Sequence, residues 1–161
     1  MRGQFKFWPG TPRELIIPNM IVDEGEESFL KMLMQGDVAD VALGGDFYVG
    51  LCADSPVEAD TLSDIATEPS STGGYARIAL SRDATGFPTI DQVGGVYRAQ
   101  SKTITFTASG VDFDTAIDRA FLCNVASGTA GVLFAYSGAL PSTRIITVGT
   151  PLPMQYEIYL D

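Results

Sequence analysis

Phe47–Cys52 reads FYVGLC, apolar on both faces apart from Gly50. That is the pattern of a strand covered on both sides. After a polar, Pro/Ser/Gly-rich excursion, Tyr75–Arg82 (YARIALSR) alternates instead. Ala76, Ile78 and Leu80 share one face, and Tyr75, Arg77, Ala79 and Ser81 the other. Such a strand keeps one face in the core and turns the other to solvent or a partner. Ser101–Ala108 repeats the alternation, Ile104 and Phe106 inward against Thr103, Thr105 and Thr107 outward. Ala120–Val125, Gly131–Ser137, Arg144–Val148 and Gln155–Leu160 follow at short spacing, separated by Gly, Ser and Pro turn signals. Short strands so spaced predict a mainly β fold, an antiparallel sandwich or barrel of jelly-roll type.

The N-terminal third departs from this rhythm. In MRGQFKFWPGTPR, Pro9-Gly10 and Pro12 argue against a regular element. Phe5, Phe7 and Trp8 therefore sit on a short arm, packed on their own domain or reaching onto a neighbouring subunit. Leu15–Val22 is strand-like, but Pro18 restricts it to an edge. The helix signal falls at about 24–35: Asp23 is a candidate N-cap with Glu26 as its capping-box partner, and acidic residues fill the first turn. Phe29, Leu30, Leu33 and Met34 form its apolar face, the Met32/Met34 pair reads as core filler, and Gly36 is the expected stop. A linker, Asp37–Asp46, follows. The expected organisation is an arm over 1–18 and one β-rich domain over 19–161.

Asp54–Thr72 is long for a loop and has only Leu62 and Ile65 as anchors, with Thr61 and Asp64 placed to start one helical turn. Loops of that length are usually functional or attached to something. Thr115–Asp118 is a second candidate turn.

Composition narrows the function classes. The chain has 161 residues, 45% hydrophobic, 10% aromatic and only 19% charged. Its net charge of −10 disfavours direct binding to nucleic acid or to anionic membrane surfaces. There is no histidine, which removes the commonest general base and transition-metal ligand. Cys52 and Cys123 lie in apolar runs and read as two buried free thiols, with a cross-strand disulfide as the alternative. MRGQFKFWPG lacks the apolar centre of a secretory signal, and no apolar run approaches membrane-spanning length, so folding in a cytoplasm is expected.

Catalytic and metal constellations are weak. Asp112, Asp114 and Asp118 form the densest carboxylate group after the helix start, but they lack the calcium-loop pattern and read as loop caps around Phe113. The paired glycines do not match a phosphate loop. Without histidine there is no ordinary triad. No enzyme, cofactor or metal is expected. Arg77 and Tyr75, projecting from the polar face of their strand, are interface candidates, since both residue types are enriched in hot spots. The alternative for Arg77 is an ordinary surface cation with a local acidic partner.

Several stretches in order carry a family resemblance. Asn19, Ile21, Val22 and Gly25 open the helix; Phe47-Tyr-Val-Gly-Leu51 and Gly74-Tyr-Ala-Arg77 follow; Gly131–Leu133 and the closing Tyr156–Ile158 come late. From about Asn19 to Asp161 the chain resembles the small structural proteins of tailed bacteriophages, most of all capsid decoration (cement) proteins. The resemblance implies a non-enzymatic virion component. It would form dimers or trimers on the capsid surface, bind the major capsid protein and stabilise the expanded shell after assembly in the host cytoplasm. On this view Phe5, Phe7 and Trp8 anchor the arm to a neighbour, and Tyr75 and Arg77 form a sheet-face contact. The alternative is a tail-associated fibre, tip or adaptor protein that uses the Asp54–Thr72 and 109–118 loops for recognition.

Overall fold

The run FYVGLC is covered on both sides because its strand divides two apolar clusters. The computed structural model describes residues 2–35 and 45–160, Leu33 by its backbone alone. In β3 (Asp46–Cys52), Phe47, Val49 and Leu51 face a large inner cluster, while Tyr48 and Cys52 face a smaller outer one. Neighbouring β8 (Arg119–Cys123) divides the same way, Ala120 and Leu122 inward, Phe121 and Cys123 outward.

The remaining strands are β1 (Arg2–Phe7), β2 (Leu15–Ile21), β4 (Ile78–Ser81), β5 (Thr89–Val93), β6 (Val96–Gln100), β7 (Ile104–Phe106), β9 (Leu133–Ser137) and β10 (Leu152–Leu160). They form one ten-stranded sheet in the order β4-β3-β8-β9-β2-β1-β10-β6-β5, with β7 also on β10. Every named pair is antiparallel, and the sheet curls into a half-barrel around the inner cluster. The mainly β class with one short helix is the one the sequence predicts. β7 shows the predicted alternation, Ile104 and Phe106 buried beside exposed Thr105.

The N-terminal residues are not an arm. β1 lies inside the sheet between β2 and β10, and Phe5 and Phe7 are fully buried in the inner cluster. Pro9-Gly10 makes the turn into β2 rather than preventing structure, with Gly10 in the left-handed region. Residues 2–18 thus belong to the β-rich domain.

β2 is likewise no edge strand: it pairs β1 through Leu15–Asn19 and β9 through Asn19–Ile21. Pro18 is tolerated because its carbonyl accepts from Gly138 just beyond the β9 ladder, so the donor it lacks faces the side where pairing has ended.

The helix α1 (Asp23–Leu30) continues as a π-helical turn over Lys31–Gln35. Its N-cap is Val22 rather than Asp23, and no side chain caps it. Gly25 and Ser28 are its buried residues, and a Cβ on Gly25 would stand 2.4 Å from the Phe134 carbonyl oxygen. Close approach of backbone seats the helix, together with Phe29 of the predicted apolar face, whose ring lies 5.2 Å from that of Phe134. Leu30 and Met34 are exposed, the α-to-π change carrying Met34 out of the expected stripe. Gly36 and the linker from Asp37 to Gly44 lie outside the described residues.

Arg144–Val148 forms only isolated bridges, to Ile117 and Ala108, and Thr115–Asp118 makes no helical turn. The Asp54–Thr72 segment does contain one at Leu62–Asp64, closed by the reciprocal Thr61/Asp64 capping box. Leu62 and Ile65 plug into the outer cluster, so this loop is the layer covering the convex side of β3 and β8.

Candidate protein-docking surface

The side chains singled out from sequence are mostly structural. Tyr75 is buried, stacked on Phe106 and edge-on to Phe113, and its hydroxyl donates to Glu68 Oε1 at 2.6 Å while accepting from the Leu51 amide at 2.9 Å. Burial first, and the Glu68 carboxylate next, push its phenol well above the ordinary range. Arg77 is 8% exposed and holds Glu68 through both carboxylate oxygens, Nε at 2.9 Å and a terminal nitrogen at 2.7 Å. It also donates to the Val125 carbonyl and lies 5.1 Å over the Phe121 ring. Burial acts against its charge, but Glu68 more than offsets this and the guanidinium is held more basic than usual.

The Phe121 ring can lie there because the opposite residue is Gly50, where a Cβ would come within 2.2 Å of the ring. Arg77 does project opposite Ile78 and Leu80; the long loop, through Glu68, covers that face. As interface residues Phe5, Phe7, Tyr75 and Arg77 are therefore corrected to internal ones. Trp8 alone among the five keeps partial exposure. Cys52 and Cys123 are free buried thiols, offset in register with Tyr48 opposite Cys123 and Arg119 opposite Cys52. Burial pushes the Cys52 thiol up to about 12.

The accessible apolar surface lies at the other end of the sheet. β5 and β6 form a hairpin whose Gly94-Gly95 loop has both residues at positive φ, +60° and +87°, as a two-residue primed turn requires. β5 ends the strand order, so among the described residues no strand lies along its outer edge. On the concave face Ile90 pairs Ala99, which pairs Ile158, and the next row is Gln92, Tyr97 and Leu160. Ile90, Tyr97 and Leu160 are 73%, 60% and 63% exposed.

This apolar strip runs into a cavity of about 590 Å³ at the mouth of the half-barrel. Its floor is Phe47, Leu122 and Tyr156, and its walls include Phe29, Phe87 and Ile158. The Asp83 carboxylate accepts from the amides of Thr85 and Gly86 and so shapes the turn that presents Phe87. The Tyr156 hydroxyl accepts from Asn19 instead of facing the cavity with an open bond, and the Arg82 guanidinium lies 5.5 Å over Phe47. The lining therefore offers mainly carbon.

The opposite face of the hairpin is polar and internally neutralised. Glu157 is fully buried between Lys6 at 2.8 Å, Arg98 at 2.8 Å, Gln100 at 2.6 Å and Tyr159 at 2.8 Å. Arg98 also forks onto Asp91 at 2.9 and 2.7 Å. Burial alone would raise the Glu157 carboxyl, but the bonds from Lys6, Tyr159 and Gln4 win and lower it. Nothing in QYEIY marks this glutamate from sequence; only the β1-β10-β6 order assembles its partners.

Trp8 closes β1. Its amide donates to Pro153, and its φ of +51° is the one left-handed value at a non-glycine residue among those described. The Arg144 and Arg13 guanidiniums lie 4.4 and 5.2 Å from its ring centre.

The 109–118 loop is a capping structure: Asp112 accepts from the Val148 amide, Asp114 from the Ser70 amide and hydroxyl, and Phe113 is buried as its anchor. Among the described residues no group of three or more Cys, Asp or Glu is placed to hold a metal, and no helix is long and apolar enough to cross a membrane. No protein-family profile and no curated protein matches the chain in sequence.

Proposed function

We propose that this protein is a non-enzymatic structural component of a phage virion, a capsid decoration protein that binds the major capsid protein and acts as an oligomer on the capsid surface. The observation that carries the proposal is the conjunction of an open strand edge with an apolar cavity at the β5–β6 end. An extended segment of a capsid subunit added along β5 gains main-chain hydrogen bonds, and its side chains gain the cavity; these are the two halves of strand-addition recognition. The hairpin's own charges, Asp91 and Arg98, are paired with one another on the far face, so a segment added along β5 meets no carboxylate of the hairpin on the concave side. The order of motifs from Asn19 onward supports the virion class. The anchor moves from the N-terminal aromatics to Ile90, Tyr97 and Leu160.

The test is co-sedimentation with expanded and unexpanded capsids, comparing the parent with Ile90→Asp. Ile90 is largely exposed, so the variant is expected to fold while losing roughly tenfold or more in capsid affinity, the scale of one hot-spot residue. Undiminished binding by Ile90→Asp would remove this face from the interface.

One observation favours the tail-associated alternative. The loops at 54–72 and 109–118 are tied into a single patch by the Ser70–Asp114 bonds and by the Ser109 amide on the Gly73 carbonyl. A receptor-binding surface built there would tolerate Ile90→Asp and fail on Asp114→Ala.

A further inference from the structure

Arg13 and Arg144 form a cationic pair in a strongly acidic chain. Their guanidiniums share the Trp8 ring, and no carboxylate forms a salt bridge with either among the described residues. By contrast Lys6, Arg77, Arg98 and Arg119 each have one. Glu14, the carboxylate nearest in sequence to Arg13, accepts from the Gly10 amide at 2.7 Å. Arg144 Nε is buried and has no hydrogen-bond partner among the described residues. Burial and the neighbouring Arg13 charge both make the Arg144 cation harder to hold. Two neighbouring cations with no carboxylate on them, one of them already carrying an unpaired buried donor, are costly, and an arriving anion offsets their charge.

The space for it is present. Trp8, Arg13 and Arg144 line a recess of about 330 Å³ whose other walls include Ile146, Pro151 and Pro153. That volume is at the small end for ligand sites, which run from about 300 to 1,000 Å³. Several features keep the recess in shape. The Arg144 amide and carbonyl are both bonded to Ile117, at 2.8 Å each. The Trp8 carbonyl accepts from the Thr11 hydroxyl and the Trp8 amide is bonded to Pro153, so the left-handed Trp8 is pinned from both sides. Arg13 lies on the exposed turn, with its guanidinium over the Trp8 ring at the edge of the recess.

We propose that Trp8, Arg13 and Arg144 form a carboxylate-binding site. It takes a carboxylate on a short apolar or planar stem: the oxygens on the two guanidiniums, the stem against Trp8 and the prolines. Guanidinium forks match carboxylates in bidentate geometry. The carboxylate comes from a free small organic acid or from a Glu or Asp side chain of a docked protein. The site stands apart from the β5–β6 face and does not depend on the capsid proposal.

Trp8 is the single tryptophan of the chain, so its emission reports the site directly. The full-length protein is titrated with benzoate, with glutamate and with a short Glu-rich peptide, at ionic strength held constant with chloride. A saturable change in Trp8 emission with benzoate or glutamate supports the site and identifies a free-acid ligand. Saturation with the peptide alone supports it and identifies a protein source. Arg13→Gln and Arg144→Gln are each expected to weaken the saturating probe roughly tenfold or more, as loss of a charge-assisted hydrogen bond should. Arg144→Lys, which keeps the charge and loses the fork, falls between. Circular dichroism confirms that each variant is folded, and Arg13→Gln, on the surface, keeps the test valid if Arg144→Gln is not. No saturation with any probe, or saturation unchanged in Arg13→Gln, overturns the proposal.

Discussion

Replacing Phe5 by alanine separates a core strand from an arm. Phe5 is fully buried and its ring lies 4.9 Å from that of Tyr156, centre to centre, on the adjacent strand β10. Truncating a buried Phe to Ala costs about 3–5 kcal/mol. Of this, about 0.5–1.5 kcal/mol is the aromatic pair itself. Against a total stability of about 5–15 kcal/mol for a domain, that is a large fraction. A chain of this size shifts its melting temperature by about 2–4 °C per kcal/mol, so a drop of roughly 6–20 °C is expected. Urea titration followed by far-ultraviolet dichroism and by Trp8 emission gives the free energy directly, with the denaturant slope unchanged. The loss must not depend on protein concentration, because β1 packs within its own subunit. A loss below about 1 kcal/mol, or one that vanishes on dilution, would refute the placement of β1 in the sheet.

Other outcomes follow from named contacts. Gly25→Ala places a Cβ 2.4 Å from the Phe134 carbonyl and must lift the helix; a loss of about 1–3 kcal/mol is expected in thermal unfolding, and a neutral result would contradict the close approach. Glu157→Gln strips the carboxylate from Lys6 and Arg98; removing one partner of a buried ion cluster costs about 3–5 kcal/mol at neutral pH. Because the folded Glu157 carboxyl is lowered, its contribution is complete above the unfolded value of about 4.3 and fades as pH falls through the lower folded value. Parent and Glu157→Gln stabilities should accordingly converge only in acid, whereas a gap constant down to pH 2 would refute the assignment. The Cys52 thiol, raised to about 12 and buried, should resist Ellman's reagent at pH 8 and react once urea unfolds the chain.

Sequence pattern resolved the parts of the fold whose faces differ in polarity. β3 and β8 are apolar on alternate positions in both directions, and each does divide two clusters. β7 alternates cleanly because its threonine face is bare. β1 carries the same signal, Phe5 and Phe7 alternating with Gln4 and Lys6, but Pro9-Gly10 directly after it outweighed a strand of six residues. The breaker was in fact the turn that ends the strand.

The side to which Arg77 projects was legible, but the strand begins only at Ile78, and Tyr75 turns into the inner cluster with Leu80 instead of sharing the face of Arg77. The burial of Arg77 was not legible, because Glu68 arrives from a loop whose path no local pattern encodes. The hairpin at 89–100 was missed although Gly94-Gly95 marks its turn, since Ile90 alternates with polar residues too weakly to outvote its surroundings. The cavity and the Arg13–Arg144 pair are products of topology: each joins residues far apart in the chain.

Quantitative mass spectrometry of purified virions, separated into heads and tails, tests the proposed role most directly. A decoration protein should be found in the head fraction at hundreds of copies, in simple ratio to the major capsid protein. A few copies confined to tails, or absence from both fractions, would contradict it.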